Sequence, residues 1–257
     1  MSILESIILG IIQGLTEFLP ISSSGHLVLF QRLLGLEEAI LTFDVLLHLG
    51  TLAAVICVFR NDIISIIRRP FQRLTLLLIL ATIPTGIMGL AFKDFFEKLF
   101  ISGSTLGIEF IITGFIIWFA DRAVERGKQL DNITYFDAVV VGIMQGIAIL
   151  PAISRSGLTI AGSLFRGINR ETAARFSFLV SIPAIAGATI LDLKDLQGLP
   201  DGMGLPFLIG PLIAALSGYW AIKFMIRILQ QGSMRWFAYY VWGLSLVVIA
   251  LQLTGKL

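Results

Sequence analysis

Residues 10–29 read GIIQGLTEFLPISSSGHLVL, and residues 142–160 read GIMQGIAILPAISRSGLTI. The two stretches align without a gap at a separation of 132 positions. Gly10, Gln13, Gly14, Ser22, Ser24 and Gly25 fall on Gly142, Gln145, Gly146, Ser154, Ser156 and Gly157, and Arg155 stands where the first copy has a serine. Each stretch interrupts an apolar region of near 30 residues, about 4–32 and about 135–165. Proline removes a backbone donor, and Ser and Gly favour caps and turns over helix interior. Each region is therefore expected to break in the middle and turn back as a helix-loop-helix.

The rest of the chain sets the solvent. Of its 257 residues 56% are hydrophobic and only 14% charged, against about 25% charged in a soluble domain. Lipid is the medium this composition suits. A net charge of +2, with no long basic run, argues against a nucleic-acid partner. The single cysteine, Cys57, excludes an internal disulfide framework and reads as a small buried hydrophobe. The first charge is Glu5, no basic segment precedes the apolar run, and no small-residue cleavage site follows it, so the N-terminus reads as part of the mature protein.

A spanning helix needs about 20 mostly apolar residues. Six stretches qualify, at about 41–59, 74–92, 105–120, 176–193, 205–226 and 236–254. With both broken regions returning to the side they entered from, loops 60–73, 121–134, 166–175 and 223–235 share one side. They carry Arg60, Arg68, Arg69, Arg73, Arg122, Arg126, Lys128, Arg166, Arg170, Arg175, Lys223, Arg227 and Arg235. The other side keeps Arg32, Lys93, Lys98, Lys194 and Lys256. The positive-inside rule then places both termini outside. Three spans follow each broken region, so the second half enters from the opposite face. The expected fold is an all-α integral membrane protein, one domain over 1–257. It has six transmembrane helices plus two re-entrant helix-loop-helix regions, in inverted repeats of about 1–130 and 131–257. Broken helices in such repeats meet near the midplane.

That meeting brings Glu17 and His26 from one half to Arg155 from the other. Ionisable groups at membrane depth are costly and are functional candidates by default. Arg155 remains charged, and its planar fork suits phosphate. Ser22, Ser24, Gly25, Ser154, Ser156, Gly157 and Thr159 supply hydroxyls and small residues through which backbone N–H groups approach an anion. A serine, with Ser23 central, becomes a nucleophile beside a base. Glu17 has three open readings: orienting the histidine, acting as base, or holding a divalent cation with Gln13. The bland alternative, a bare Arg155–Glu17 ion pair, leaves the hydroxyls on both sides unexplained. The remaining polar residues read as structural: His48 bonds a neighbouring helix, Asp44 and Glu109 face water or partners near span ends, and Lys93, Asp94, Glu97 and Lys98 form an interfacial loop.

These stretches resemble the undecaprenyl-diphosphate phosphatases of the bacitracin-resistance type. The family's (E/Q)xxxE motif matches QGLTE at Gln13 to Glu17, and its PGxSRSxxT motif is matched by PAISRSGLT at Pro151 to Thr159, with FLPISSSGH also typical. The likeness runs over the whole chain. It implies a bacterial plasma-membrane enzyme that removes one phosphate from the C55 lipid diphosphate on the outer face, so recycling the cell-wall lipid carrier and conferring bacitracin resistance. It also implies an outward-open pocket and a divalent cation, Mg²⁺ or Ca²⁺. It carries function onto Glu17, Ser23, His26 and Arg155, supported by Gln13, Ser154, Ser156 and Thr159. Ser23 is favoured as nucleophile, and a phosphohistidine at His26 is the rival. Gln13 stands where many members have Glu, and Ala152 replaces the motif glycine, which matters if that position needs positive φ. The partners implied are the polyprenyl diphosphate and membrane lipid, and small-residue patterns permit a homodimer. A polyprenyl-phosphate flippase using the same anion site is the alternative, but transport needs no nucleophile.

Overall fold

The computed structural model describes residues 1–36, 40–123, 127–195 and 204–254. Arg126 and Lys256, two of the charges sorted above, lie outside the described residues, as does the side chain of Lys194. The described chain is helical apart from turns and one isolated bridge, Lys128 with Ile168.

Every expected span is a helix. In chain order these are α1 (Ile3–Phe18), α2 (Ser23–Leu33), α3 (Ile40–Val58), α4 (Arg60–Arg68), α5 (Arg73–Ala91), α6 (Lys93–Ser102), α7 (Leu106–Ala120), α8 (Tyr135–Ile147), α9 (Arg155–Phe165), α10 (Arg170–Asp195), α11 (Pro206–Gln231) and α12 (Arg235–Leu253). α5, α10, α11 and α12 are each long and apolar enough to cross a membrane. Two bent pairs qualify jointly: α3 with α4 at 81°, and α6 with α7 at 109°. This is a multi-pass helical membrane protein. The charged stretch 93–98 is the start of helix α6, where Lys93 pairs with Glu97 at 3.7 Å, and not a loop.

The two interrupted regions are helical hairpins. α1 opens on a capping box of Ser2 and Glu5, and α8 opens on one of Thr134 and Asp137, 132 positions later. Such a box satisfies orphan N–H groups at a helix start from both directions. α2 and α9, the returning helices, are N-capped by Ser22 and Ser154, the same separation again. α8 and α9 close at their open end through Asp137, which takes Arg166 at 2.6 Å and Lys128 at 3.0 Å.

Packing between the halves is reciprocal: α1 lies along α11, and α8 along α5. Glycines permit both approaches. A Cβ on Gly10 would come within 2.5 Å of the Gly210 carbonyl oxygen, and one on Gly14 within 2.5 Å of that of Ala214. Gly142 meets the backbone of Ala81 on α5, and Gly146 meets Met88, in the same manner. In lipid no hydrophobic force draws helices together, so close van der Waals approach has to supply the attraction. These four glycines are the pairs that align in sequence. Gly114 and Gly218, in the ITGF and LSGYW segments, likewise seat Trp242 and Phe18.

The basic loops gather at one end. Arg73 donates to the Ile133 carbonyl at 2.7 Å, Arg175 pairs with Asp62, and Asp121 joins three helix ends. Asp121 accepts from Met234 N–H at 2.7 Å, Arg235 at 2.9 Å, Arg170 at 3.0 Å and Ser233 at 3.1 Å. At the opposite end Ser6 donates to the Pro206 carbonyl, Arg32 to that of Ile101 and Gln252 to that of Gly103. The start of α1 and the end of α12 therefore share the end away from the basic loops.

Cys57 corrects the reading from sequence: it is exposed on α3. α3 is apolar on every side, so an apolar neighbourhood in sequence does not choose the inward face; the lipid takes the rest.

Gly14→Leu and Gly142→Leu are each expected to lower the melting temperature of detergent-solubilised protein, by overpacking of about 1–3 kcal/mol, whereas substitution at Gly86, which faces open space, leaves it nearly unchanged. Burial raises the Asp121 carboxyl, but the Met234 N–H, Arg235, Arg170 and Ser233 outweigh it and hold it below the usual carboxylate range. The stability it adds is present above about pH 4, the ordinary Asp value, and is lost as pH falls through its lowered value. Asp121→Asn is expected to unfold earlier than wild type at pH 7, with the gap closing on acidification; thermal unfolding against pH measures this.

Candidate active site

The tips of the two hairpins meet. Ser22 Oγ donates to the Pro151 carbonyl at 2.9 Å, and Ser156 Oγ donates to the Leu19 carbonyl at 2.9 Å. Positions 19 and 151 are 132 apart, so each tip offers the same carbonyl to a serine of the other. α7 fixes the second tip from behind: Glu109 accepts the Ala152 N–H at 2.6 Å, and Thr113 donates to the Ala152 carbonyl at 2.9 Å and accepts the Ser154 N–H at 3.2 Å. Glu109 is thus buried and structural, not water-facing. A lone acid in the first turn of an otherwise apolar helix was the available signal.

Glu17, at the end of α1, is the centre. Its carboxylate accepts from Arg155 Nη2, from the Ser23 hydroxyl, and from Gln13 Nε2 at 3.1 Å. Ser23 and Arg155 occupy equivalent positions in the two stretches, and both turn to the same carboxylate. Each begins a helix, α2 and α9, so two positive helix ends converge here. Glu17 is 6% exposed, and the Arg155 charge beside it offsets part of the cost of burying a carboxylate. Among the described residues, two buried polar atoms at this point have no partner, Arg155 Nη1 and Gln13 Oε1.

The first tip is held in an unusual backbone. Ser22 has φ 66°, the one positive φ outside glycine among the described residues. Such a conformation costs about 1–3 kcal/mol and persists only when its surroundings over-determine it. Ser22 is pinned by its bond to Pro151, by the Gly25 N–H on its Oγ at 3.3 Å, and by His26 Nδ1 on its carbonyl at 2.6 Å. Ala152, by contrast, needs no positive φ. It is fully buried against Gly25, so a small side chain is what that position requires.

The other candidate residues fall into two groups. Ser154 caps α9 through the Gly157 N–H at 3.1 Å and lies 3.3 Å from the Ser156 hydroxyl. Gly157 lies beside Pro20 of the first tip, and Ser24 is half-buried in the first turn of α2. Thr159 stands apart: its hydroxyl bonds the Arg155 carbonyl at 2.8 Å and Ser177 at 2.5 Å, tying α9 to α10. His26 also points away from Glu17, its Nε2 lying 2.9 Å from the Tyr240 hydroxyl.

His48 takes a place the sequence reading did not give it. Its Nδ1 bonds the Asp44 carbonyl of its own helix at 2.7 Å, and its Nε2 lies 3.9 Å from Glu17. Asp44 accepts from Gln31 at 2.7 Å. A histidine within an apolar span was the signal, but nothing in the sequence gave the rotation of α3. Among the described residues no three His, Cys, Asp or Glu side chains cluster as a metal site. Glu17 and Gln13 Oε1 are oxygen donors suited to a hard cation at this point.

Residues 6–247 match the family model described as bacitracin resistance protein BacA. The chain is similar to an undecaprenyl-diphosphatase of Carboxydothermus hydrogenoformans, 56% identical over all of both chains. It is also similar to undecaprenyl-diphosphatase 4 of Bacillus thuringiensis strain Al Hakam, 51% identical over 99% of each, and to an undecaprenyl-diphosphatase of Halothermothrix orenii, 48% identical over 98% of each. With the hairpin motifs in place and a match running nearly end to end, the chain belongs to the bacitracin resistance protein BacA family.

Proposed function

We propose that the chain is an integral membrane phosphatase that hydrolyses undecaprenyl diphosphate to undecaprenyl phosphate and inorganic phosphate, recycling the cell-wall lipid carrier and conferring bacitracin resistance. The observation that carries this reading is the shared Glu17 carboxylate. It holds a serine hydroxyl and an arginine that keeps a buried, unpartnered N–H. A diphosphate supplies the acceptor oxygens that Arg155 Nη1 lacks, and two helix N-termini complement its charge.

Ser23 is the nucleophile in this account. Glu17 takes the Ser23 proton as Oγ attacks the terminal phosphorus; the Oγ–P bond forms, the bridging P–O bond breaks, and its electron pair leaves on undecaprenyl phosphate. Glu17 passes that proton to the departing undecaprenyl phosphate. Water then attacks the phosphoserine, giving a proton to Glu17, which returns it to Ser23 Oγ as the Oγ–P bond breaks and inorganic phosphate leaves. Arg155 neutralises the charge that develops on the phosphoryl oxygens, the part of such reactions where most acceleration arises. Ser22 and Ser156 hold the two tips in register, and Ser154 caps α9. Ser24, Gly25 and Gly157 border the same place, and Thr159 acts through the seating of α9.

A divalent cation, Mg²⁺ or Ca²⁺, fits the donors to a limited extent. Glu17 and Gln13 Oε1 are hard oxygen ligands, and Mg²⁺ commonly takes one or two carboxylates and completes its shell with substrate phosphates and water. When bound it supplies charge neutralisation at the diphosphate. The reading is then of a cation that enters with the substrate.

The same reading makes the protein an inverted repeat of about 1–130 and 131–257, with six spans and two re-entrant hairpins in the bacterial plasma membrane. Reciprocal packing of α1 on α11 and α8 on α5 supports it, as do the paired capping boxes. The gathering of basic loops at one end supports a cytoplasmic assignment for that end, leaving both termini and the mouth of the site outside.

Phosphate release from undecaprenyl diphosphate by purified protein tests the proposal. Wild type with Mg²⁺ or Ca²⁺ is expected to turn over. Arg155→Ala and Ser23→Ala are each expected to lose at least about 100-fold, and EDTA to abolish activity. No release by wild type would contradict the proposal.

A further inference from the structure

His26 lies at the site but faces neither Glu17 nor Arg155. Its surroundings on every side are defined. The ring stacks on Tyr240 of α12, with centroids 5.7 Å apart and planes 7° apart, and Phe110 of α7 meets it edge-on at 5.6 Å. Nδ1 is 2.6 Å from the Ser22 carbonyl oxygen, which can only accept, so Nδ1 carries a hydrogen. The ring is 2% exposed, and among the described residues its nitrogens bond the Ser22 carbonyl and the Tyr240 hydroxyl, not a carboxylate. As a neutral imidazole it therefore presents Nε2 as an acceptor, and the Tyr240 hydroxyl, 2.9 Å away, donates to it.

We infer that Tyr240 is a positioning residue for the phosphatase reaction: its hydroxyl locks His26 as the Nδ1–H tautomer, and that N–H holds the Ser22 carbonyl and with it the left-handed turn that aims Ser23 at Glu17. Tyr240 touches no reacting atom in this arrangement. Its effect passes through the ring to the Ser22 backbone, and the next residue along is the nucleophile. The tautomer matters because the other one would set an unprotonated Nδ1 against a carbonyl oxygen, repelling the group that fixes the turn. The same bonds leave His26 no free nitrogen for phosphate, so its contribution is also positional. Tyr240 is itself about half exposed, and its helix packs chiefly on α7. α12 also shares an apolar cluster with the tips through Ile21, Ala152 and Val241, and the Tyr240 hydroxyl adds a hydrogen bond to that contact.

This inference rests on the phosphatase reading, and the test separates the two. Tyr240→Phe keeps the stacked ring and deletes the hydroxyl. Loss of one hydrogen bond predicts that kcat for undecaprenyl diphosphate falls about 3- to 10-fold, with KM nearly unchanged. His26→Asn keeps an N–H where Nδ1 stood and removes any nucleophilic nitrogen; it is expected to retain activity near that of Tyr240→Phe, while His26→Ala falls well below both. The chain has two histidines, so ¹⁵N-histidine NMR of the full-length protein in detergent reads them directly. His26 is expected as the Nδ1–H tautomer, with its Nε2 resonance moving to higher frequency in Tyr240→Phe and that of His48 staying in place. This readout also decides the matter if His26→Asn does not fold. A wild-type kcat and an unshifted His26 resonance in Tyr240→Phe would overturn the inference, as would acid-labile phosphate trapped on His26 during turnover. Wild type that releases no phosphate would remove the phosphatase reading, and the role with it, even if the NMR shift is seen.

Discussion

A carboxylate buried at the tip of a helical hairpin, deep in an apolar bundle, needs a counter-charge, and the guanidinium that supplies it here belongs to the other half of the chain. Glu17 is paired with Arg155 across the meeting point of two hairpins. Taking either charge from water alone costs several kcal/mol, so each hairpin is completed by the other. The crossed serine bonds at Leu19 and Pro151 add register to that attraction. The site is not fully satisfied: among the described residues Arg155 Nη1 and the oxygen of the neighbouring Gln13 lack partners. A purely structural ion pair gains nothing from such vacancies, whereas a site for a phosphorylated ligand uses them.

The two hairpins are alike in backbone and unlike in charge. Position 17 carries glutamate and its counterpart, Ile149, is apolar; position 23 carries serine and its counterpart is Arg155. The shared residues are those that build the hairpin: the glycines that admit α11 and α5, and the serines that cap α2 and α9. The differing residues provide an acid and a hydroxyl from one side and a fixed cation from the other. A symmetric pair of tips would have placed like charges together, which costs energy in low dielectric.

Much of this was legible in the sequence because it rests on local rules. Proline, serine and glycine within apolar stretches announced the breaks, and the aligned clusters announced that Glu17 and Arg155 belong together. The loop charges sorted as the helix ends do. What sequence did not reveal depends on helix rotation. α3 is apolar all round, so nothing indicated that Cys57 faces outward or that His48 turns toward Glu17. Glu109 looked like a span-end residue until the second tip was seen to need an acceptor for its Ala152 N–H. Thr159 fits the motif, yet its hydroxyl serves α10. Tyr240 lies 214 positions from His26, and no motif joins them.

The central claim is that Glu17 and Arg155 act as one unit drawn from two halves of the chain. A double-mutant cycle on phosphate release tests it most directly, using Glu17→Gln, Arg155→Gln and the double variant, with folding of each checked by thermal unfolding. The account predicts strong non-additivity, the double variant losing little more than either single one. Losses that multiply independently would show that the two residues do separate work, and would contradict it.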